Sequence, residues 1–267
     1  MAELPEIELF RQKLQKAAMH RRVGFLHLRN AKGEAVPNGA GIADDAVRGR
    51  EITDIYRYGG QIFWELDRRE ILAIQMGGEL VMELERGPAG KSGSQEPRAG
   101  LEIQVNAHLR LHMHGTQLGG RLRLLDENSD VDFLTRLGPD PLMVPETGLS
   151  TLREALARRR SALRNILLDD SFVPGIGAIW ADEILFQTRL RPDRTAPSLD
   201  GEERERFLAQ IPTVLARALR SQAKIPLLPK TFLTRHREDG HCPACGGTLE
   251  HLAVGGKAAV FCPACQL

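Results

Sequence analysis

The chain has 267 residues, with 36 lysines and arginines against 35 aspartates and glutamates, a net charge of +1, and 42% hydrophobic residues. That balance is typical of a folded globular protein and excludes a disordered or fibrous one. No uninterrupted apolar run approaches the roughly 18 residues of a membrane span, and Glu3, Glu6 and Glu8 with no basic segment before them argue against a secretory signal.

In chain order, Pro5–Ala18 reads as a helix with Pro in its first turn and Ile7, Phe10, Leu14 and Ala17 on one face. From Arg22 to Asp126 the period shifts towards two. Strands are predicted at Val23–Leu28, Ile62–Leu66, Ile71–Ile74, Leu80–Leu84, Leu109–Met113 and Leu122–Leu125. Many short strands with Gly-rich punctuation imply a sandwich or barrel. Residues 87–100 have the composition of a loop or insert. His108, His112 and His114 share parity, as metal ligands on a strand would. Alternation with Leu109, Leu111 and Met113 explains them more simply as the polar face of a half-buried strand.

After Leu137-Gly-Pro-Asp-Pro-Leu142 the pattern turns helical. Thr151-x-x-Glu154 suggests a capping box for a helix reaching about Leu168, and Ala178–Gln187 a second helix after the Val173-Pro-Gly-Ile-Gly177 connection. Phe207, Leu208, Ile211, Val214, Leu215, Ala218 and Leu219 mark a third apolar face, expected to kink or break at Pro212. Backbone N–H groups at the Gly175-x-Gly177 turn could hold an anion; alternatively, the glycines serve the geometry of the corner alone.

Charge is unevenly distributed. Residues 151–267 carry 17 basic and 13 acidic side chains, and Phe207–Arg237 contains no acid at all. Such a block can face phosphates or be a solvated helix face.

All four cysteines lie at the C-terminal end, as Cys242-Pro-Ala-Cys245 and Cys262-Pro-Ala-Cys265 separated by sixteen residues. Two such knuckles form the zinc-ribbon pattern, in which four thiolates close a tetrahedral shell around one structural ion. Disulfides or iron in the same cage are the alternatives. Thr248–Ala253 and Ala258–Phe261 read as strands joined at Gly255-Gly256.

The opening Met1-Ala2-Glu3-Leu4-Pro5-Glu6, the segment Leu137–Leu142, the stretch Ile166–Leu190 containing Val173-Pro-Gly-Ile-Gly-Ala-Ile-Trp-Ala-Asp-Glu183, and the double-CxxC ribbon occur in an order and spacing that resembles the formamidopyrimidine-DNA glycosylase / endonuclease VIII family. The resemblance covers nearly the whole chain. It implies an α+β multidomain protein. Residues 1–126 would form a catalytic β-sandwich with a leading helix, 127–150 a linker, 151–235 a helix–two-turn–helix DNA-binding domain and 236–267 a zinc-ribbon finger. The implied partner is DNA, damaged duplex or single-stranded, bound by a cytoplasmic monomer.

The family chemistry implies that a damaged base is flipped out and removed by the N-terminal amine, with AP-lyase strand cleavage following. On this chain the nucleophile falls on Ala2 after removal of Met1, with Glu3 as proton donor and Glu6 in support. An α-amino group with a pKa of about 7.7–8 is partly neutral near pH 7 and can form an imine without a special base. The sequence departs from the family at Ala2 (usually proline), Gly60 (a lysine), Ala178 (an asparagine) and Lys257 (an arginine), and has a short loop at Glu127-Asn128-Ser129-Asp130. Met76 aligns with a residue that fills the void left by the flipped base, or is a core methionine. Gly175, Gly177, Lys257, Lys230 and Arg235 are the other expected DNA contacts, with Lys224 and His236 as further replacements. The alternative to a glycosylase is a catalytically impaired relative acting as a non-enzymatic damaged-DNA-binding protein.

Overall fold

The computed structural model describes residues 2–29, 35–36, 44–76, 81–86, 100–106, 108–114, 122–126, 129, 132–143 and 148–267. Met1, Gly77-Gly78, Leu80, most of the 87–100 insert and Glu127, Asn128 and Asp130 lie outside them. The chain divides into two units, Met1–Ala2 with Ile7–Val131, and Glu3–Glu6 with Asp132–Leu267.

The first unit is a β-sandwich. One sheet has the order β2-β1-β7-β8-β6, from Ala35–Val36, Val23–Arg29, Gly100–Val105, Leu109–His114 and Val81–Arg86. The other has the order β3-β4-β5-β9, from Ile52–Tyr58, Gln61–Leu66, Ile71–Gln75 and Leu122–Leu125. Every strand pairing among the described residues is antiparallel, and one buried cluster draws on both sheets through Leu26, Ile103 and Leu111, and through Ile55, Ile62 and Leu72. Helix α1, Leu4–Ala18, contributes Ile7, Phe10 and Leu14 to the same cluster, and the one-turn helices α2, Asp44–Val47, and α3, Asp132–Thr135, follow it in the chain.

On β8 the histidines alternate with buried leucines and Met113, as expected for a polar face, and His112 Nε2 lies 3.2 Å from Glu85 Oε2. Strands β3 and β7 were not expected. Leu101-Glu102-Ile103-Gln104-Val105 alternates apolar and polar along β7, and the fold buries Glu102 with its apolar neighbours. β3 and β4 meet in a two-residue turn, Gly59-Gly60, with Gly59 at φ +54° and Met76 N–H donating to Gly60 O at 2.7 Å.

The second unit packs helices around Leu152, Ile166, Trp180, Ile184, Phe207 and Ile211. The expected single helix to Leu168 is two: α4, Gly148–Ala157, and α5, Leu163–Leu167. Tertiary pairing interrupts it. Ala162 is extended and bridges Thr195, while Leu163 N–H donates to Arg194 O at 2.7 Å. α6 runs from Ala178 to Thr188. α7, Gly201–Arg220, continues through Pro212 without the expected break, behind an Asp200/Glu203 capping box. β10, Glu250–Val254, and β11, Lys257–Phe261, form the C-terminal hairpin, with Gly255 and Gly256 at φ +59° and +77° as a two-residue left-handed turn requires.

Candidate active site and metal centre

Helix α6 is preceded by Gly177, which has no side chain to cap it. Glu3 supplies the cap from 176 residues away: its Oε1 accepts from Ile179 N–H at 3.0 Å and its Oε2 from Trp180 N–H at 3.1 Å. The positive end of the helix therefore faces a carboxylate. A Cβ at position 177 would overlap Glu3 Cδ, so glycine is required by this approach. Leu4 N–H donates to Gly175 O at 2.9 Å, and Gly175, at φ +87°, donates its own N–H to Asp170 Oδ1 at 2.8 Å. This corrects one expectation. The helix-start amides of Ile179 and Trp180, offered to an external anion by the Gly-x-Gly reading, are taken by the chain's own carboxylate.

Glu6, in the first turn of α1, reaches back to Glu3 N–H at 3.2 Å and accepts from Trp180 Nε1 at 3.3 Å. Burial pushes both carboxyls above the usual range. For Glu3 this outweighs the Ile179 and Trp180 amides and Arg237, and Asp182 adds to the rise. For Glu6 it outweighs its hydrogen bonds, with Glu3 adding a smaller rise. Two carboxyls whose pKa burial raises thus sit at the start of α1, Glu3 just before the helix and Glu6 in its first turn.

In the first unit, Ala2 is half-buried and packs against the sandwich cluster. Met76 is 5% exposed and belongs to the same cluster, which is the core-methionine alternative; its side chain is not presented at the surface. Gly60 carries no side chain where the lysine was aligned, and a Cβ there would meet nothing closer than Met76 O at 3.5 Å. Ala178, at the asparagine position, is the first residue of α6.

Lys257 is exposed at the start of β11, and Lys230 and Lys224 are also exposed. Arg235 is half-buried. Its Nη1 donates to Pro226 O at 2.9 Å and Leu228 O at 2.8 Å, tying down the 225–227 turn. His236 is likewise held between Asp239 and Lys230 O.

The four cysteine sulfurs lie within 4.8 Å of one another, with Cys242–Cys265 at 3.8 Å and Cys245–Cys262 at 3.6 Å. A disulfide would need about 2.05 Å, whereas the edges of a tetrahedral thiolate cage are roughly 3.8 Å for metal–sulfur bonds of about 2.3 Å. The group can hold one metal ion. The hairpin is fastened to the helices by Gln266, which accepts from Cys262 N–H at 2.9 Å and donates to Leu190 O at 2.8 Å.

Sequence reasoning missed a buried polar layer beneath α6. Glu183 is completely buried and accepts from Leu233 N–H, Thr234 N–H, Thr234 Oγ1 and Gln187 Nε2. Asp182, also buried, meets Arg164, Arg237 and Val260 N–H. The one available signal was two adjacent acids in a helix otherwise apolar on nearly every side.

Comparisons with known proteins agree with this architecture. The model of the formamidopyrimidine-DNA glycosylase N-terminal domain matches residues 1–127, and that of the formamidopyrimidine-DNA glycosylase H2TH domain matches residues 137–227. A formamidopyrimidine-DNA glycosylase of Desulfitobacterium hafniense is 31% identical over 285 residues, covering 100% of both chains. One of Arabidopsis thaliana is 26% identical, covering 100% of this chain and 71% of its own. Among solved structures, the Lactococcus lactis enzyme in complex with abasic-site DNA aligns over 100% of both chains, with a TM-score of 0.82 at 20% identity. With both halves matched by family models and a full-length relative above 30% identity, the chain belongs to the formamidopyrimidine-DNA glycosylase family.

Proposed function

We propose that this chain is a base-excision repair DNA glycosylase with AP-lyase activity. The observation that carries the reading is Glu3, a carboxyl with a raised pKa, fixed by two main-chain N–H bonds in the residue next to Ala2. With Met1 removed, the Ala2 amine attacks C1′ of a flipped nucleotide and the glycosidic bond breaks, with the base leaving. Glu3 delivers a proton to the ring oxygen as the sugar opens, leaving an imine between Ala2 and C1′. Loss of a C2′ proton then expels the 3′ phosphate, and water releases the enzyme. Glu6, bonded to Glu3 N–H and Trp180 Nε1, supports the amine end of the site.

Solved relatives bound to abasic-site and Fapy-dG DNA support DNA as the partner. Lys257, Lys230 and Lys224 are the exposed cations suited to its phosphates. Arg235 serves by holding the 225–227 turn, Gly175 and Gly177 by shaping the corner that seats Glu3, and Met76 by packing behind the Gly60 hairpin.

The four-thiolate cage is the preferred donor set of zinc, which would supply a closed structural shell and no chemistry. Chelation should melt residues 241–267 first, because metal binding provides much of a small ribbon's folding free energy. Amide hydrogen exchange before and after chelator reads this; a metal-free ribbon that stays protected rules zinc out.

Borohydride trapping on duplex DNA with an abasic site tests the chemistry. A protein beginning at Ala2 should give a covalent adduct, and one retaining Met1 should give none. Gly60 and Ala178, both lacking the family side chain, favour a second reading as a non-enzymatic damaged-DNA-binding protein. DNA binding without adduct, and without any effect of Glu3→Gln, selects it.

A further inference from the structure

Arg164 on α5 has a side chain with no exposed surface. Its Nε donates to Asp182 Oδ1 at 2.7 Å. Its two terminal nitrogens reach past Asp182 to the ribbon: Nη2 donates to Ala258 O at 2.7 Å, and Nη1 approaches Lys257 O at 3.4 Å. The other carboxylate oxygen, Asp182 Oδ2, accepts from Val260 N–H at 3.1 Å and from Arg237. One buried acid and one buried base therefore grip the main chain of β11 at residues 257, 258 and 260.

The next residue on α5 completes the grip. A Cβ at Gly255 would lie 2.6 Å from Asn165 Oδ1, so the tip of the hairpin is seated directly against Asn165. Lys257 follows two residues after this contact, with its side chain exposed.

A buried ion pair is a poor device for stability, since a well-packed apolar pair of equal volume usually serves as well or better. What it provides is direction. The planar guanidinium fork fixes the angle between α5, Asp182 and the two carbonyls in a way that a lysine cannot reproduce.

We infer that Arg164, through Asp182 and the main-chain carbonyls of Lys257 and Ala258, is a positioning residue that sets the ribbon hairpin so that the Lys257 ammonium is presented to a backbone phosphate of bound DNA. The inference rests on the proposed reading of Lys257 as a phosphate ligand and deepens it: the residue that replaces a forked arginine by a point charge is held in place by a forked arginine beneath it.

The test uses the full-length, zinc-loaded protein and duplex DNA carrying a tetrahydrofuran abasic-site analogue. Affinity is measured across a range of salt concentrations for wild type, Arg164→Lys, Lys257→Ala and the double variant. Arg164→Lys keeps the net charge, so a change in salt slope reports where Lys257 sits rather than how charged the protein is. Both single variants should lower the slope by about one phosphate contact and weaken binding by roughly tenfold, and the double variant should be no weaker than Lys257→Ala. Arg164→Met, read by zinc stoichiometry as well as by binding, covers the case in which lysine is accommodated by a small shift. A wild-type salt slope in both Arg164 variants, or losses that add in the double variant, overturns the inference while leaving the glycosylase reading intact. Wild-type protein with no salt-dependent DNA binding overturns both.

Discussion

Two buried glutamates attend the same helix and do different things. Glu183 lies within α6 and receives four hydrogen bonds, so both of its oxygens are saturated and none of it is exposed. Glu3 lies at the start of α6, receives two, and keeps 5% of its surface. Burial raises the pKa of each. The difference is in donors: a carboxyl surrounded by four of them has no lone pair from which a proton can be handed on, whereas one held by two retains that capacity. Geometry, rather than acidity alone, separates the structural glutamate from the candidate acid.

The widest separation should come from exchanging each for glutamine. Glu3→Gln should lower excision and borohydride trapping per folded molecule by about 10²–10⁴-fold, the usual worth of a positioned acid, and, because its amide would oppose Ile179 or Trp180 N–H, should also cost about 1–3 kcal/mol of stability. Glu183→Gln should share only the loss of stability. Its amide would oppose an N–H at Thr234 or Leu233, costing about 1–3 kcal/mol of stability in a denaturant titration, with activity per folded molecule retained. If both variants lose activity in proportion to stability, the two sites are not distinct in kind.

Gly177→Ala attacks only the Glu3 side of the comparison. The added methyl occupies the space of the Glu3 carboxyl. We expect a loss of about 1.5–3 kcal/mol, the worth of a charge-assisted hydrogen bond, and reduced cleavage. The same substitution should leave the exchange protection of the Thr234 amide unchanged.

Next in size is the pH dependence of stability. For a carboxyl whose folded pKa is raised, the unfolded chain ionises first. Its stabilising share is complete below the unfolded pKa of about 4.3 and is lost as pH rises through the folded value. The difference in stability between wild type and each glutamine variant, at position 3 or 183, should therefore shift against wild type as pH rises over that window. A slope of opposite sign would mean that the hydrogen bonds outweigh burial.

Gly60→Lys should have the smallest effect on stability, within about 0.5 kcal/mol as for an open surface site, because a Cβ there meets only Met76 O at 3.5 Å. Restoring the cation should steepen the salt dependence of DNA binding by about one contact. An unchanged slope would show that the hairpin does not approach the phosphates.

Much of the fold was legible because its signals are local. The alternation on β8, the two cysteine knuckles and the Gly255-Gly256 turn each follow from a few adjacent residues. The break between α4 and α5 was not legible, since it depends on Ala162 pairing with Thr195, more than thirty residues on. β7 was missed although its signal is local, since Leu101-Glu102-Ile103-Gln104-Val105 alternates as a strand should. At the site, Glu3 and Glu6 were found through the family resemblance, and the cysteines through spacing. Arg164, Asp182 and Glu183 could not be told from solvated helix charges until α6 was known to be enclosed. Arg235 reads as a free cation in the sequence, and only the fold reveals the two carbonyls that claim it.

The cap that Glu3 places on α6 also ties competence to assembly. A molecule whose first residues are clipped or unseated loses the candidate proton donor and uncaps α6 in the same event. Defective copies should therefore be both silent and fragile, and more readily cleared by proteolysis. Position 3 is accordingly constrained twice, by the proposed reaction and by the integrity of a helix whose sequence lies far from it.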